Sequence, residues 1–446
     1  MILENALAHY YPQIQAALHA LLDGQDSGDG SDFSPGSQLP ELTPAVREYL
    51  CVSEVAFESM PAYRGRSLSL LDLTRNPSTM TTKTFASLVM VARAVRFIQQ
   101  TGQRITIITP SSANKAVALR DAVLRAINCG LVDADQLNVI VVVPSGSVHK
   151  LRSSELFTTP DLRARNPIAA YDGANPEVVK AIARGTVDRY RGPLERELKT
   201  NLWYTLKLEN YLAGDVVRAW AEAEHFAPDA SKDRLHVHAV SSAYGLLGHA
   251  YGRQAAAPRG EAPPHYFLVQ HLGAPDMVLS LYEGSDAGRV PSYSRDPETG
   301  RYTQRDNPRF PAVTFDPIEV LDTTFYSRRP ATSSRMNALI NTQGGGGIVV
   351  SLAECLERHA QVRDLLGDAG LLLPANPTSI LEWSLSMAMT GLLNAIDRDL
   401  ISEQDIVVHG SGSYSRNDFE GIPLRDLHKV GDENALRDLV IKATAL

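Results

Sequence analysis

The sequence predicts an α/β protein whose mainly parallel sheets are covered by helices and divided between two lobes. Three observations carry that prediction. Short runs rich in Val and Ile alternate with longer segments of helical period. The strand runs are apolar throughout rather than alternating, as strands buried on both faces require. The chain has 446 residues, more than one simple core holds, while its 44% hydrophobic and 21% charged fractions are ordinary for a globular protein.

Taken in order, residues 1–22 read as an amphipathic helix, and the Gly/Ser/Asp/Pro-rich segment LDGQDSGDGSDFSPGSQLP after it as a flexible linker. RITIITP (104–110) is a strand, followed by the helix ANKAVALRDAVLRAINCG, which stops at a glycine. NVIVVVP (138–144) and PIAAYDG (167–173) are further strands, the second feeding the helix NPEVVKAIARG. LHVHAVSS (235–242) and HYFLVQHL (265–272) follow as strands. A long helix through SILEWSLSMAMTGLLNAI precedes the last strand, DIVVHGSG (405–412). RQAAAPRGEAPP (253–264) and residues 284–311 carry Pro, Gly and charge and read as surface insertions. No internal repeat is present.

Composition narrows the function classes. A net charge of −8, from 43 basic and 51 acidic side chains, argues against a nucleic-acid surface. Cys51, Cys129 and Cys355 lie far apart without a CxxC, so neither a disulfide framework nor a cysteine metal site is expected. No apolar run is long enough to span a bilayer and the first residues lack a secretory pattern, so a cytoplasmic protein without membrane contact is expected.

In parallel sheets ligands gather where strand ends feed helix starts. That rule selects the turns after Pro110, Val240 and Val408. The first continues SSANKAVAL, two hydroxyls and an asparagine at a helix start, where free N–H groups suit an anion. The second continues SSAYGLLGHAYG, a small-residue turn suited to phosphate. The third continues HGSGSYS. Upstream, NPSTMTTKTFASL sets Lys83 in a hydroxyl-rich turn before an apolar helix.

This ordered series resembles the threonine synthase group of the fold type II, tryptophan-synthase-β-like, pyridoxal-phosphate enzymes. NPSTMTTK is similar to that family's N-P-T-G-S-F-K-D, and SSANKAVAL to its S-S-G-N-T-G-A-A-L. VVVPSGSVHK, IAAYDGANPEVVKAIARG, LENYLAGDVVRAWAEA and VSSAYGLLGHAYG resemble its next blocks, and the similarity runs over roughly 65–420. The resemblance implies a pyridoxal phosphate held as a Schiff base on Lys83, which then moves protons at the substrate's Cα. It implies that Asn114 bonds the cofactor's ring oxygen and that Ser111, Ser112 and Ala113 take the substrate carboxylate. Ser241, Ser242, Ala243, Tyr244, Gly245 and Leu246 would cradle the phosphate. Ser411 or Ser413 would face the pyridine nitrogen, with His409 aligned to a family threonine at the same turn.

The implied organisation is an N-terminal helix and linker at 1–43, a large lobe of 44–83 and 201–446, and a small lobe of 84–200 with the cofactor between them. The implied activity is a lyase or synthase, eliminating or replacing a group at Cβ or Cγ of a small amino acid, O-phosphohomoserine if the likeness is close, in a homodimer. The alternative is a non-catalytic relative that binds a partner. Departures from the pattern are Thr84 after the lysine, Lys115 after the asparagine, and Tyr244 with a single glycine in the phosphate loop.

Three other features are read as structural. GGGG at 344–347 leads into the strand-like IVVS rather than cradling a phosphate. His236 and His238 share a strand face but lack a third metal ligand nearby in sequence, so no metal is expected. SRRP (327–330) reads as a surface turn.

Overall fold

In the computed structural model, residues 1–22, 32–228, 232–256, 262–284, 288–325 and 327–445 are described. Two sheets organise them. The larger has seven strands in the order Ile2–Leu3, Val55–Tyr63, Arg66–Asp72, Asp405–Gly410, Arg234–Ala239, His265–His271 and Gly345–Val350. From Arg66–Asp72 onward every pairing is parallel, and only the Val55–Tyr63 strand runs against the others, antiparallel to both its neighbours. The smaller sheet is wholly parallel, in the order His428–Lys429, Ile168–Tyr171, Leu137–Pro144, Arg104–Pro110 and Thr200–Tyr204. The smaller sheet thus takes Thr200–Tyr204 and His428–Lys429, and the helix Glu433–Thr444 packs against the helix Val178–Leu198 beside it. The division at 84–200 did not anticipate this return of the chain.

The apolar strand runs are buried as their sequence demands: all eight residues of Leu137–Pro144 and all six of Asp405–Gly410 are buried. The helix Lys83–Thr101 has 13 of its 19 residues buried, and it ends at Gly102 with φ 68°, a left-handed cap that glycine adopts freely. It meets the helix Glu209–Asp215 at Gly214, where a Cβ would stand 2.7 Å from the Ala86 backbone. That close crossing sets Tyr211 and Asp215 against the first turn of the Lys83 helix.

Several expectations change. The first 22 residues form a strand pair with Ala56 and Val55 and two helices, Ala6–His9 and Tyr11–Leu22, rather than one helix. Of the segment read as a linker, residues 23–31 lie outside the described residues. From Asp32 on, the segment is tied down, because buried Arg93 donates to Gly36 O at 2.6 Å and to Ser34 Oγ at 3.0 Å. Part of the 284–311 insertion forms a small antiparallel sheet, Ser294–Arg295, Tyr302–Thr303 and Val313–Thr314, closed over buried Phe310. The helix read through SILEW starts only at Ser384, and Ile380–Glu382 is a strand paired with Tyr414–Ser415. Within GGGG, Gly344 caps the helix Ser333–Gln343 and the other three glycines open the strand Gly345–Val350 at the sheet edge, where a side chain on Gly345 would collide with the Tyr266 backbone.

Candidate functional site

The three turns selected from sequence meet at one cavity of about 330 Å3. Pro110, Ser111, Ser112 and Asn114 line it from the smaller sheet, and Val240 through Leu246 and Ser411 from the larger. Lys83 enters at the first residue of its helix. The turn before it is fastened to the last strand's turn, since Thr82 N donates to Ser411 O at 3.0 Å and Ser413 N to Met80 O at 3.3 Å. Thr84, standing where the resembled family has an acid, bonds Thr79 at 2.6 Å and Asn76 at 3.3 Å and so closes the same turn.

Two alanines hold backbone shapes that glycine usually supplies. Ala113, at the glycine of S-S-G-N, has φ 95°, and Ala243 in the second loop has φ 51°. Both loops therefore keep left-handed turns without glycine, at a strain of roughly 1–2 kcal/mol each. After Ala243 the helix Tyr244–Ala256 begins, and its first N–H groups, which no turn of the helix can satisfy, border the cavity. The Arg218 guanidinium lies beneath, 3.0 Å from where a Gly245 Cβ would be.

The structure places some expected residues differently. The Ser111 hydroxyl accepts from Ala113 N at 3.1 Å and Ala116 N at 2.8 Å, so it caps the helix instead of facing a ligand. Asn114 donates to Glu382 Oε2 at 2.6 Å and accepts from Tyr414 Oη at 2.6 Å, so both ends of its amide are engaged. Ala113, Ser413 and His409 do not line the cavity. His409 lies one layer below, fully buried. Ser411 does line it, and its buried hydroxyl has no partner. SRRP is not merely a surface turn, since Ser327 through Pro330 line the outer wall.

Glu382, which the helix reading hid, reaches the cavity and is held by buried Lys150 at 3.2 Å. Lys150 also pairs with buried Asp322 at 2.6 Å. Asp322 in turn accepts from Trp383 N at 3.0 Å. Burial opposes the charge on Lys150, yet the two carboxylates outweigh it and raise its pKa above the ordinary lysine value.

Beneath the loops lies a second polar layer. Tyr211, Asp215, Arg218 and Glu222 share one helical face across the helices Glu209–Asp215 and Val217–His225. That polar stripe in an otherwise apolar segment was a legible signal that sequence reasoning missed. Arg218 contacts Asp215, donates to Thr82 Oγ1 at 2.7 Å and lies 3.4 Å from His409 Nδ1. A guanidinium only donates, so His409 Nδ1 accepts and its Nε2 carries the proton toward His236 Nδ1, 3.0 Å away. His236 Nε2 then faces Glu222 at 3.6 Å. His249 bonds Glu222 at 2.7 Å and the Tyr266 hydroxyl at 2.8 Å.

His236, His249 and His409 bring one ring nitrogen each within 4.8 Å of the others, a group that includes His236 of the pair read from sequence but not His238. Hydrogen bonds already engage all three rings. Burial pushes the pKa of His236, His238 and His409 well below the ordinary imidazole value and lowers that of His249. Burial also pushes the Glu222 carboxyl up, but His236, His249 and Arg234 outweigh it and hold it below the usual range.

The cavity amines differ from these engaged groups. Lys83 Nζ lies 5.6 Å from the Tyr211 ring centre and Lys115 Nζ 5.0 Å from the same centre. Lys115 is buried and its Nζ has no hydrogen-bond partner. Burial lowers the Lys83 pKa, with Asp215 and Glu382 opposing and Arg218 adding; burial and then Lys83 push Lys115 well below the ordinary value. His238, stacked on His409 at 3.8 Å between centroids, also lines the cavity with an unpartnered Nε2.

The chain belongs to DUF6002, a family of unknown function, whose model matches residues 2–444. No curated protein matches it by sequence. Among solved structures it is similar to threonine synthase from Escherichia coli, with a TM-score of 0.54 and 15% identity over 96% of each chain. It is also similar to threonine synthase from Brucella melitensis with bound pyridoxal phosphate, at TM-score 0.50 and 12% identity over 87% of this chain and 81% of that one. Yeast threonine synthase gives TM-score 0.50 and 12% identity over 88% and 81%. The fold is that of the fold type II pyridoxal-phosphate enzymes, as the resemblance implied. Among the described residues no helix is long and apolar enough to cross a membrane.

Proposed function

We propose that the cavity holds pyridoxal phosphate on the Lys83 amine and that the protein acts at Cβ or Cγ of a small amino acid. The observation that carries this reading is the set of orphaned polar atoms in one cavity. Lys115 Nζ, Ser411 Oγ and His238 Nε2 are buried without partners, an arrangement that is costly unless a ligand meets it. For pyridoxal phosphate, the helix start at Ser241–Leu246 would hold the phosphate and the Ser411 hydroxyl would face the ring nitrogen. When bound, the cofactor supplies an electron sink for carbanion chemistry.

The chain's own residues do the rest. Lys83, its pKa lowered by burial, is a ready nucleophile and then a proton carrier. Ser112 and the N–H groups opening the helix Asn114–Asn128 offer the substrate carboxylate a seat. A neutral hydroxyl at the ring nitrogen leaves the ring unprotonated, which suits elimination or replacement over transamination. Lys180, Arg328 and Arg329 on the outer wall suit a substrate with a distal anionic group such as O-phosphohomoserine.

One observation favours the non-catalytic alternative: Asn114, expected at the cofactor's ring oxygen, is engaged at both ends by Glu382 and Tyr414. An absorption spectrum with added pyridoxal phosphate separates the two. The cofactor reading expects a visible band in the wild type that Lys83→Ala abolishes while circular dichroism stays unchanged. No band at saturating cofactor would reverse the choice.

A further inference from the structure

We propose that Lys115 is a second proton-transferring amine of this cleft, serving Cβ of a bound amino acid while Lys83 serves Cα. The proposal rests on the cofactor reading above. Lys115 sits in the first turn of the helix Asn114–Asn128, directly after the loop that would seat the substrate carboxylate. Its side chain is only 6% exposed, it lines the cavity, and its Nζ meets no acceptor among the described residues. The neighbouring lysines are occupied: Lys180 bonds Glu177 and Ser327, and Lys150 bonds Asp322 and Glu382. An arginine in the wall cannot serve as a base, because its guanidinium stays protonated.

A packing role explains this residue poorly. Burying an amine without an acceptor costs stability, and a methionine would fill the same space without that cost. The groups facing Lys115 are the Lys83 amine, which disfavours a second charge, and the Tyr211 ring, which weakly favours one. Both amines lie near the Tyr211 ring and line one cavity, within reach of one small ligand. Lys83, as the cofactor carrier, is released beside Cα, which leaves Lys115 for the next carbon.

The step balances without a further reactant. Once the Cα proton has moved, a Cβ–H bond breaks and its proton forms an N–H bond on the neutral Lys115 Nζ. The electron pair left on Cβ is drawn toward the cofactor, and the ammonium later returns the proton to carbon or to a leaving group. Reactions at Cγ need such a second abstraction, so this residue would favour a Cγ-substituted substrate.

The test uses the cofactor-loaded protein in D2O with L-2-aminobutyrate, which lacks a leaving group, and follows Cα and Cβ proton signals by NMR. The wild type is expected to exchange both positions. In Lys115→Met and Lys115→Arg the ratio of Cβ to Cα exchange should fall by roughly 100-fold, the lower range for a general base. The arginine variant matters because it keeps a long nitrogen-bearing side chain and removes the base. Wild-type Cβ exchange in either variant, or Cα exchange alone in the wild type, would overturn the proposal. Absence of both the band and Cα exchange in the wild type would sink the cofactor reading, and this proposal with it.

Discussion

Two walls of the same cavity treat their polar groups in opposite ways. On one, Glu382 and Asn114 line the cavity and are linked to Lys150, Asp322 and Tyr414 behind them at 2.6 to 3.2 Å. On the other, Lys115, Ser411 and His238 present buried atoms that meet nothing. A protein can afford buried polarity when it is paired, so the first wall reads as scaffold. A ligand in place would give the second wall its partners. The comparison therefore supports the proposed ligand position on grounds other than likeness to other proteins.

The comparison can be broken by substitution. Lys150→Ala leaves Asp322 and Glu382 buried without a counter-charge and should cost about 3–5 kcal/mol in denaturant unfolding. Lys115→Met on the other wall should leave the unfolding midpoint of the cofactor-free protein unchanged or raise it. Equal losses at both positions would erase the distinction between the walls.

Acid is the next probe, directed at the layer beneath. His236, His238, His249 and His409 have folded pKa values below their unfolded ones, and His271 is pushed down to about 4. The unfolded chain thus binds protons first, and stability should fall as pH drops below the ordinary imidazole value. Each independently titrating imidazole adds a slope of up to about 1.4 kcal/mol per pH unit. Unfolding midpoints measured from pH 7.5 down to about 5 should decline, and His236→Gln should flatten the decline. A flat profile in the wild type would mean that these rings are charged or exposed in solution.

The smallest effect concerns the two left-handed alanines. Ala243→Gly should change stability by less than about 1 kcal/mol, because relief of the positive φ offsets the extra freedom of the unfolded glycine. Ala116→Gly, inside the helix that follows Asn114, should lose about 1 kcal/mol with nothing to offset it. A full helix-type loss at Ala243 would show that the loop does not hold its left-handed turn.

Much of the fold was legible because buried parallel strands must be apolar throughout: Arg104–Pro110, Leu137–Pro144, Arg234–Ala239, His265–His271 and Asp405–Gly410 follow their sequence runs within two or three residues. The cavity was legible through the strand-end rule, which selected the three turns that meet there. What stayed hidden depended on contacts distant in sequence. Glu382 was hidden because Ile380–Glu382 pairs with Tyr414–Ser415, more than thirty residues on, and so leaves the helical period. His409 was given a ligand role, but its strand position turns it into the layer below, against His236. The segment from Asp32 reads as linker by composition, yet Arg93, 57 residues away, holds Gly36. Tyr211, Asp215, Arg218 and Glu222 were within reach of sequence, as a polar face on an apolar helical segment.

The central claim is that Lys83 carries the cofactor, and the direct measurement is borohydride reduction of the pyridoxal-phosphate-loaded protein followed by peptide mapping. The account predicts one pyridoxyl group, on the peptide containing Lys83. A label on Lys115, or none on either lysine, would contradict it.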